Sequence, residues 1–286
     1  MKNENMLLIG SREKTQNKLM ELIRKKVDRE ENLIITDTAD HRLYDNSIDM
    51  VKNHGYKVVR LDPYVKNHDS INIMQYTDDS DKENLCSVFP EYLIGEVFIG
   101  EPEEYLSPNK YTWSFELFNF MLINDYCLNQ FKKFFKKNSV QRIADKLYEK
   151  EPQLVTLLGG EPPWRIADDL SDIQNTICRR LAVKKEVEML SRGTYDLAQF
   201  GQEKTIVYVA PMPECRLEPL IIERFMDINK DSRIPCTVVM DERSCIREPY
   251  IYNWNINASY LLTLRTDSIP SANFIKRDCR QTYYCA

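Results

Sequence analysis

Residues 6–62 read MLLIGSREKTQNKLMELIRKKVDREENLIITDTADHRLYDNSIDMVKNHGYKVVRLD, and their rhythm decides the fold. Met6–Ile9 is an apolar burst of strand length. From Thr15 to Val27, Leu19, Met20, Leu22, Ile23 and Val27 recur at helical spacing. NLIITD is a second short apolar run, ending on Asp37. Leu43, Ile48 and Val51 fit a helix that stops at Gly55, because glycine takes the left-handed conformation a helix end asks for. KVVRLD is a third strand, closed by Pro63, which has no N–H to donate to a ladder. Strand, helix, strand, helix, strand with short connections implies parallel pairing and a three-layer α/β domain.

The order changes and then returns. From residue 78 to 164 the chain is rich in acids, aromatics and helical patterns, with Phe115, Phe118, Phe120, Leu122, Tyr126, Phe131, Phe134 and Phe135 forming an apolar stripe. The reading is an all-α insertion over 78–164, between a first part of the α/β domain at 1–77 and a second at 165–286. The second part opens with DLSDIQNTICRRLAVKKEVEML, an amphipathic pattern read as one long helix stopped by Gly193. KTIVYVA, CTVVMDE, ASYLLTL and QTYYC read as strands and EPLIIERFMDI as a helix.

Composition excludes several classes. With 39 basic and 44 acidic residues the net charge is −5, which argues against a protein that coats nucleic acid generally. The richest apolar stretch, FELFNFMLINDYCLNQF, is interrupted by Glu116, Asn119, Asn124 and Asp125 and is too polar to span a bilayer. No signal peptide is visible, and a cytoplasmic location is expected. The eight cysteines form no CxxC pair and the three histidines lie far from most of them, so packed thiols are expected rather than a zinc site.

The chemistry-bearing candidates sit where strands end. A phosphate loop follows G-x-x-x-x-G-K-[ST]: glycines let the backbone aim N–H groups at phosphate oxygens, the lysine neutralises them and the hydroxyl binds Mg²⁺. Lys14 and Thr15 supply the last two members. Glu13 stands where the second glycine belongs and Leu8 where the first does, so Gly10 begins a loop at least two residues too short. Asp241 and Glu242 close the run CTVVM as a Walker B pair would, with Asp241 toward Mg²⁺ and Glu242 polarising the attacking water. Asp37 ends its strand in the same way, facing the crevice at the strand ends or capping the next helix. KKFFKK at 132–137 has the composition of a nucleic-acid strand binder, but its phenylalanines fall at core spacing.

Taken in order, these segments resemble the TraG/TraD-type coupling proteins of conjugative type IV secretion, P-loop ATPases of the RecA-like class. Asp37, Tyr44, Gly55-Tyr56, Val58, Leu61 and Asn72 match one family stretch, and Asp241, Glu242 and Ile246 match its Walker B segment. Asp278-Cys279 stands for the family's Asn-Cys pair. The resemblance implies a RecA-like fold with an inserted all-α subdomain, ATP and Mg²⁺ as ligands, Gly10, Lys14 and Thr15 as phosphate-loop residues, Thr15 and Asp241 at Mg²⁺ and Glu242 as the catalytic residue. It also implies a homo- or hetero-hexameric ring, a relaxase and single-stranded DNA as partners, and recruitment to the inner face of the membrane. The family's N-terminal membrane helices are missing from the pattern. So are a proper phosphate loop, the lysine after Asp37 and a glutamine near Thr263. Three readings follow. One is a degenerate member that binds nucleotide weakly or not at all and acts by interaction. Another is a working ATPase with an unorthodox loop. The last is a decayed fragment with no biochemical role.

Overall fold

The computed structural model describes residues 5–94, 108–150, 163–212, 217–230, 232–240, 259–265 and 281–285. Among these residues, seven strands form one sheet: β1 (Asn5–Gly10), β2 (Asn32–Thr36), β3 (Lys57–Leu61), β4 (Thr205–Val209), β5 (Cys236–Met240), β6 (Ser259–Arg265) and β7 (Gln281–Cys285). The order across the sheet is β3-β4-β2-β5-β6-β1-β7, and every neighbouring pair is parallel. The first five segments of the chain take the forms their periodicity predicts, with α1 (Arg12–Asp28) and α2 (Arg42–Asn53) between β1, β2 and β3.

Strands buried on both faces carry apolar residues at successive positions, and β2, β4 and β5 are buried throughout. One face of the sheet presents Leu8, Leu33, Ile35, Ile206, Tyr208 and Val239 to Leu19, Leu22, Ile23 and Val27 of α1 and Leu43 and Val51 of α2. Each such aliphatic side chain contributes about 1.5–3 kcal/mol by leaving water. Crossovers between parallel strands are right-handed. The chain steps one way across the sheet through α1 and α2 and the other way through α9 (Glu218–Asn229), so α9 lies on the face opposite α1 and α2. The end of α2 is a Schellman closure: Gly55, at φ 72°, donates to Lys52 O and Tyr56 N donates to Val51 O.

The chain divides into two compact units. One, the sheet unit, comprises residues 1–70, 194–212 and 221–286, and the other, helical, comprises 71–193 with 213–220. The helical unit holds α3 (Asp79–Leu93), α4 (Pro108–Ile123), α5 (Leu128–Lys137), α6 (Val140–Lys150), α7 (Pro163–Arg180) and α8 (Lys184–Met189). Its core is aromatic. Phe118 lies 5.1 Å from Phe89 and 4.7 Å from Phe131, and Phe131 lies 4.9 Å from Phe135, ring centre to ring centre.

The sequence reading divided the chain at 77/78 and 164/165, whereas the compact units divide it at 70/71 and 193/194. Two contacts account for the difference. Helix α7 packs on α4, α5 and α6, and an amphipathic pattern does not say which neighbour its apolar face will meet. Residues 71–73 pair with 189–190 through Ile71 N to Met189 O and Ile73 N to Leu190 O. The expected single helix up to Gly193 is also two helices. The chain turns at Leu181–Val183, where Ala182 N bonds back to Arg179 O and the Ala182 carbonyl accepts the Lys132 ammonium at 3.1 Å.

Within the sheet unit, Ser70 and Thr194 are bonded to each other. Thr194 N and Tyr195 N both donate to Ser70 O, at 2.9 and 3.0 Å, and Ser70 N donates to Thr194 Oγ1 at 2.7 Å. Joining residue 70 to 194 through two glycines therefore asks little of the backbone. The shortened chain is expected to unfold in urea in one cooperative transition with a smaller m-value, since m scales with the surface exposed. A non-cooperative loss of signal would show that the sheet unit does not hold its fold without residues 71–193.

Candidate functional site

The junction after β1 is one residue long. Gly10 ends the strand, paired with Arg265 of β6 and Cys285 of β7, and α1 begins at Arg12. Ser11 between them is extended, at φ −66° and ψ 154°, and its side chain makes no capping bond. Gly10 is not among the described residues with positive φ, so it continues the strand and does not curl the chain. Thr15 is buried, and both its N–H and its Oγ1 donate to Ser11 O at 3.0 Å. Glu13 and Lys14 lie exposed on the first turn of the helix. Lys14 and Thr15 thus lie in the first turn of α1, and Gly10 lies before it, at the end of β1. The electrostatic resource there is that of any helix start, N–H groups carrying partial positive charge, with the carboxylate of Glu13 added.

Asp241 and Glu242 lie outside the described residues. The strand before them, β5, ends at Met240 and is separated from β1 by β6. The carboxyl end of β5 is therefore two strand spacings from β1, about 9.5 Å.

Asp37 resolves in favour of capping. The residue is 3% exposed, Oδ1 accepts from Thr38 N at 2.8 Å and Leu43 N at 3.1 Å, and Oδ2 accepts from Tyr44 N at 2.8 Å. Leu43 and Tyr44 belong to the first turn of α2, whose N-cap is His41, so Asp37 caps the helix from four residues upstream. Burial pushes its carboxyl above the ordinary range, against the downward pull of the three N–H donors and of His41.

Sequence reasoning missed the cluster beside it. His41 adopts the left-handed backbone, at φ 53°, and its Nδ1 lies 3.4 Å from Oδ2 of the buried Asp62 at the end of β3. Arg60 Nη2 is 3.4 Å from the same oxygen, and its guanidinium carbon sits 4.0 Å from the centre of the Tyr44 ring. Tyr44 meets Tyr208 of β4 edge-on at 5.0 Å, and the Tyr208 hydroxyl lies 2.6 Å from Ser47 Oγ. Cation–π and edge-to-face contacts of this kind join α2 to β3 and β4. The available signal was that NLIITD, KVVRLD and CTVVMD are three apolar runs that each end in Asp.

In the helical unit, KKFFKK divides as core spacing predicts. Phe131, Phe134 and Phe135 are buried and Lys133, Lys136 and Lys137 are exposed, so no ring of this stretch is presented for base stacking. Lys132 turns inward, and burial, with Lys136 next in effect, holds its ammonium below the usual lysine range. None of the helices among the described residues is long and apolar enough to cross a membrane.

No protein-family model matches the chain, and no curated protein matches it in sequence. Solved structures do resemble it. The plasmid coupling protein TrwB in complex with ADP and Mg²⁺ superposes with a TM-score of 0.66 at 11% identity, over 98% of this chain and 69% of that one. The bacterial conjugative coupling protein TrwBdeltaN70, in a trigonal form in complex with sulphate, gives 0.66 at 12% identity over 99% and 70%. TrwB with the non-hydrolysable GTP analogue GDPNP gives 0.65 at 12% identity over 96% and 68%. The expected architecture, a parallel α/β sheet with helices on both faces and a helical unit inserted after its third strand, is therefore what the chain adopts, and it shares that fold with the conjugative coupling protein TrwB.

Proposed function

We propose that this chain works within a conjugative or type IV secretion system as a coupling-protein-like component that binds nucleotide weakly or not at all. It acts by association, joining or capping a ring of active relatives on the cytoplasmic side of the membrane, within reach of their relaxase and single-stranded DNA.

The observation that carries this reading is the one-residue junction at Ser11. A triphosphate is held by successive backbone N–H groups that surround it, and a strand that passes into a helix through one extended residue offers no such concavity. Lys14 faces solvent, and the Thr15 hydroxyl is turned back onto Ser11 O. ATP and Mg²⁺ therefore do not fit this junction as they fit a glycine-rich loop, and no hydrolytic step is assigned to Lys14, Thr15, Asp241 or Glu242. Loss of even one preorganised donor at an anionic transition state costs about 3–4 kcal/mol, so turnover at such a site is expected to be negligible.

The test is thermal unfolding with and without Mg-ATP. A ligand at one hundred times its Kd stabilises a fold by about 2.7 kcal/mol, which moves a melting temperature by several degrees. The expectation at millimolar Mg-ATP is no shift beyond error, and the same melting temperature for Lys14→Ala. A shift of several degrees that Lys14→Ala abolishes overturns the proposal in favour of an ATPase with an unorthodox loop.

A further inference from the structure

We propose that the outer face of α4, with the groove on each side of it, seats a basic amphipathic helix of a partner protein. The inner face of α4 is spent on the core of the helical unit: Trp113, Leu117, Phe118, Met121 and Leu122 are buried. Its outer face does not turn polar, as a solvated helix face does. It carries Phe115, which is half-buried, and Ile123, which is 51% exposed, with Glu116 and Asn119 among them, while Phe120 beside them is half-buried against Phe134 and Tyr126.

Two depressions flank this ridge. The one toward α3, of about 290 Å³, is lined by Asp79, Lys82, Glu83, Cys86, Phe115 and Asn119. The one toward α6 shares Asn119 and continues along Phe120, Ile123, Leu147 and Lys150. A ridge between two grooves is the surface that one helix offers to another, whose side chains fill the grooves on either side.

The rim sets the sign of the partner. Asp79 and Glu83 stand one helical turn apart on α3, where like charges repel. Among the described residues neither carboxylate has an ion-pair partner. Lys82 lines the same groove, which thus holds two carboxylates to one ammonium. The thiol of the buried Cys86 at its floor is pushed up to about 12, first by burial, with Lys82 opposing and Glu116 and Glu83 adding. A lysine or arginine on the edge of an incoming helix satisfies the Asp79–Glu83 pair while aliphatic side chains cover Phe115 and Ile123. This recognition by an apolar groove with a charged edge needs no nucleotide and is independent of the β1–α1 junction.

The experiment is fluorescence anisotropy with the full chain and a labelled, end-capped Leu–Lys helix of about 18 residues, long enough to hold its helix on binding. The parent binds it saturably and less tightly in high salt. Glu83→Lys and Ile123→Asn, both at exposed positions, each weaken binding about tenfold, while Asp49→Lys on α2 leaves it unchanged; tenfold corresponds to the loss of one well-made contact. A Leu–Glu peptide of the same pattern does not bind. The proposal is overturned if the Leu–Lys helix does not bind, or if Asp49→Lys weakens it as much as Glu83→Lys, which would reduce the effect to net charge. It is also overturned if sedimentation shows a dimer that Ile123→Asn dissociates, since a second copy would then own the face.

Discussion

Lys26→Met is expected to destabilise the protein by about 3–5 kcal/mol, the cost of stripping one partner from a buried ion pair. Lys26, near the end of α1, is 4% exposed at its side chain and Glu31, in the turn that follows, is 9% exposed. The ammonium lies 3.1 Å from both carboxylate oxygens. The Thr237 hydroxyl donates to Glu31 Oε2 at 2.6 Å, and Tyr56 donates to the Glu31 carbonyl at 3.0 Å. The network ties α1 to the first residues of β5 and to the turn before β3. After Lys26→Met, the carboxylate keeps one hydroxyl and a distant Arg29 at 4.0 Å, too little to replace the water it lost. Urea denaturation reads the loss as a lower midpoint at unchanged m. Lys26→Met combined with Glu31→Gln removes the uncompensated charge and is expected to recover more than half of it. A single variant that costs under about 1 kcal/mol would mean that the pair behaves as a surface pair.

Asp37→Ala is the second large effect, about 3 kcal/mol, and Asp37→Asn is its control. The alanine variant leaves the N–H groups of Thr38, Leu43 and Tyr44 without their acceptor at a buried helix start, and each orphaned donor costs about 1–3 kcal/mol before the structure relaxes. Asparagine keeps one carbonyl oxygen in place and carries no charge to desolvate, so it is expected to stay within about 1 kcal/mol of the parent near neutral pH. The sign of the pH dependence follows from burial. The folded carboxyl titrates above its usual 3.8, so the folded state holds this proton longer than the unfolded one. The parent's stability therefore falls as pH rises from about 3.8 through the folded value, and Asp37→Asn, which does not titrate, gains on it over that interval. Equal stability of Asp37→Ala and the parent would return Asp37 to the list of ligand-facing groups.

What could be read from the sequence was what one segment decides alone. The first three strands and two helices follow from spacing because each writes its own burial into a few residues, an unbroken apolar run in β1 and β2 and a periodic face in the helices. Gly55 was legible because the end of α2 needs a left-handed residue there. The stripe through Phe131, Phe134 and Phe135 was legible because α5 is amphipathic over its whole length. What remained hidden is set by distant partners. Whether α7 belonged with the sheet or with the helices depends on which apolar face it meets, and the turn at Leu181–Val183 involves Lys132, some fifty residues earlier. The grouping of His41 with Arg60 and Asp62 required knowing that β4 alone lies between β2 and β3, so that the loop after β2 reaches the end of β3. The β1–α1 junction stood between these cases. Its shortage of glycine was plain in GSREKT, but that Ser11 alone spans it is a fact of backbone geometry.

The position of β1 in the sheet carries a consequence for biosynthesis. Its two neighbours are β6 and β7, so Asn5 pairs with Tyr260 and Met6 with Gln281. As the ribosome extends the chain, β1 emerges before both of its partners and waits while the residues between them are made. Pairing across so long a span must meet the entropy of closing the loop before any ladder forms, which slows folding. Through that wait the apolar run MLLI is an unpaired edge, the kind of segment that chaperones hold and that aggregates recruit. In pulse-labelled refolding the amides of Leu7 and Leu8 should gain protection together with those of β6 and β7, after those of β2 and α2.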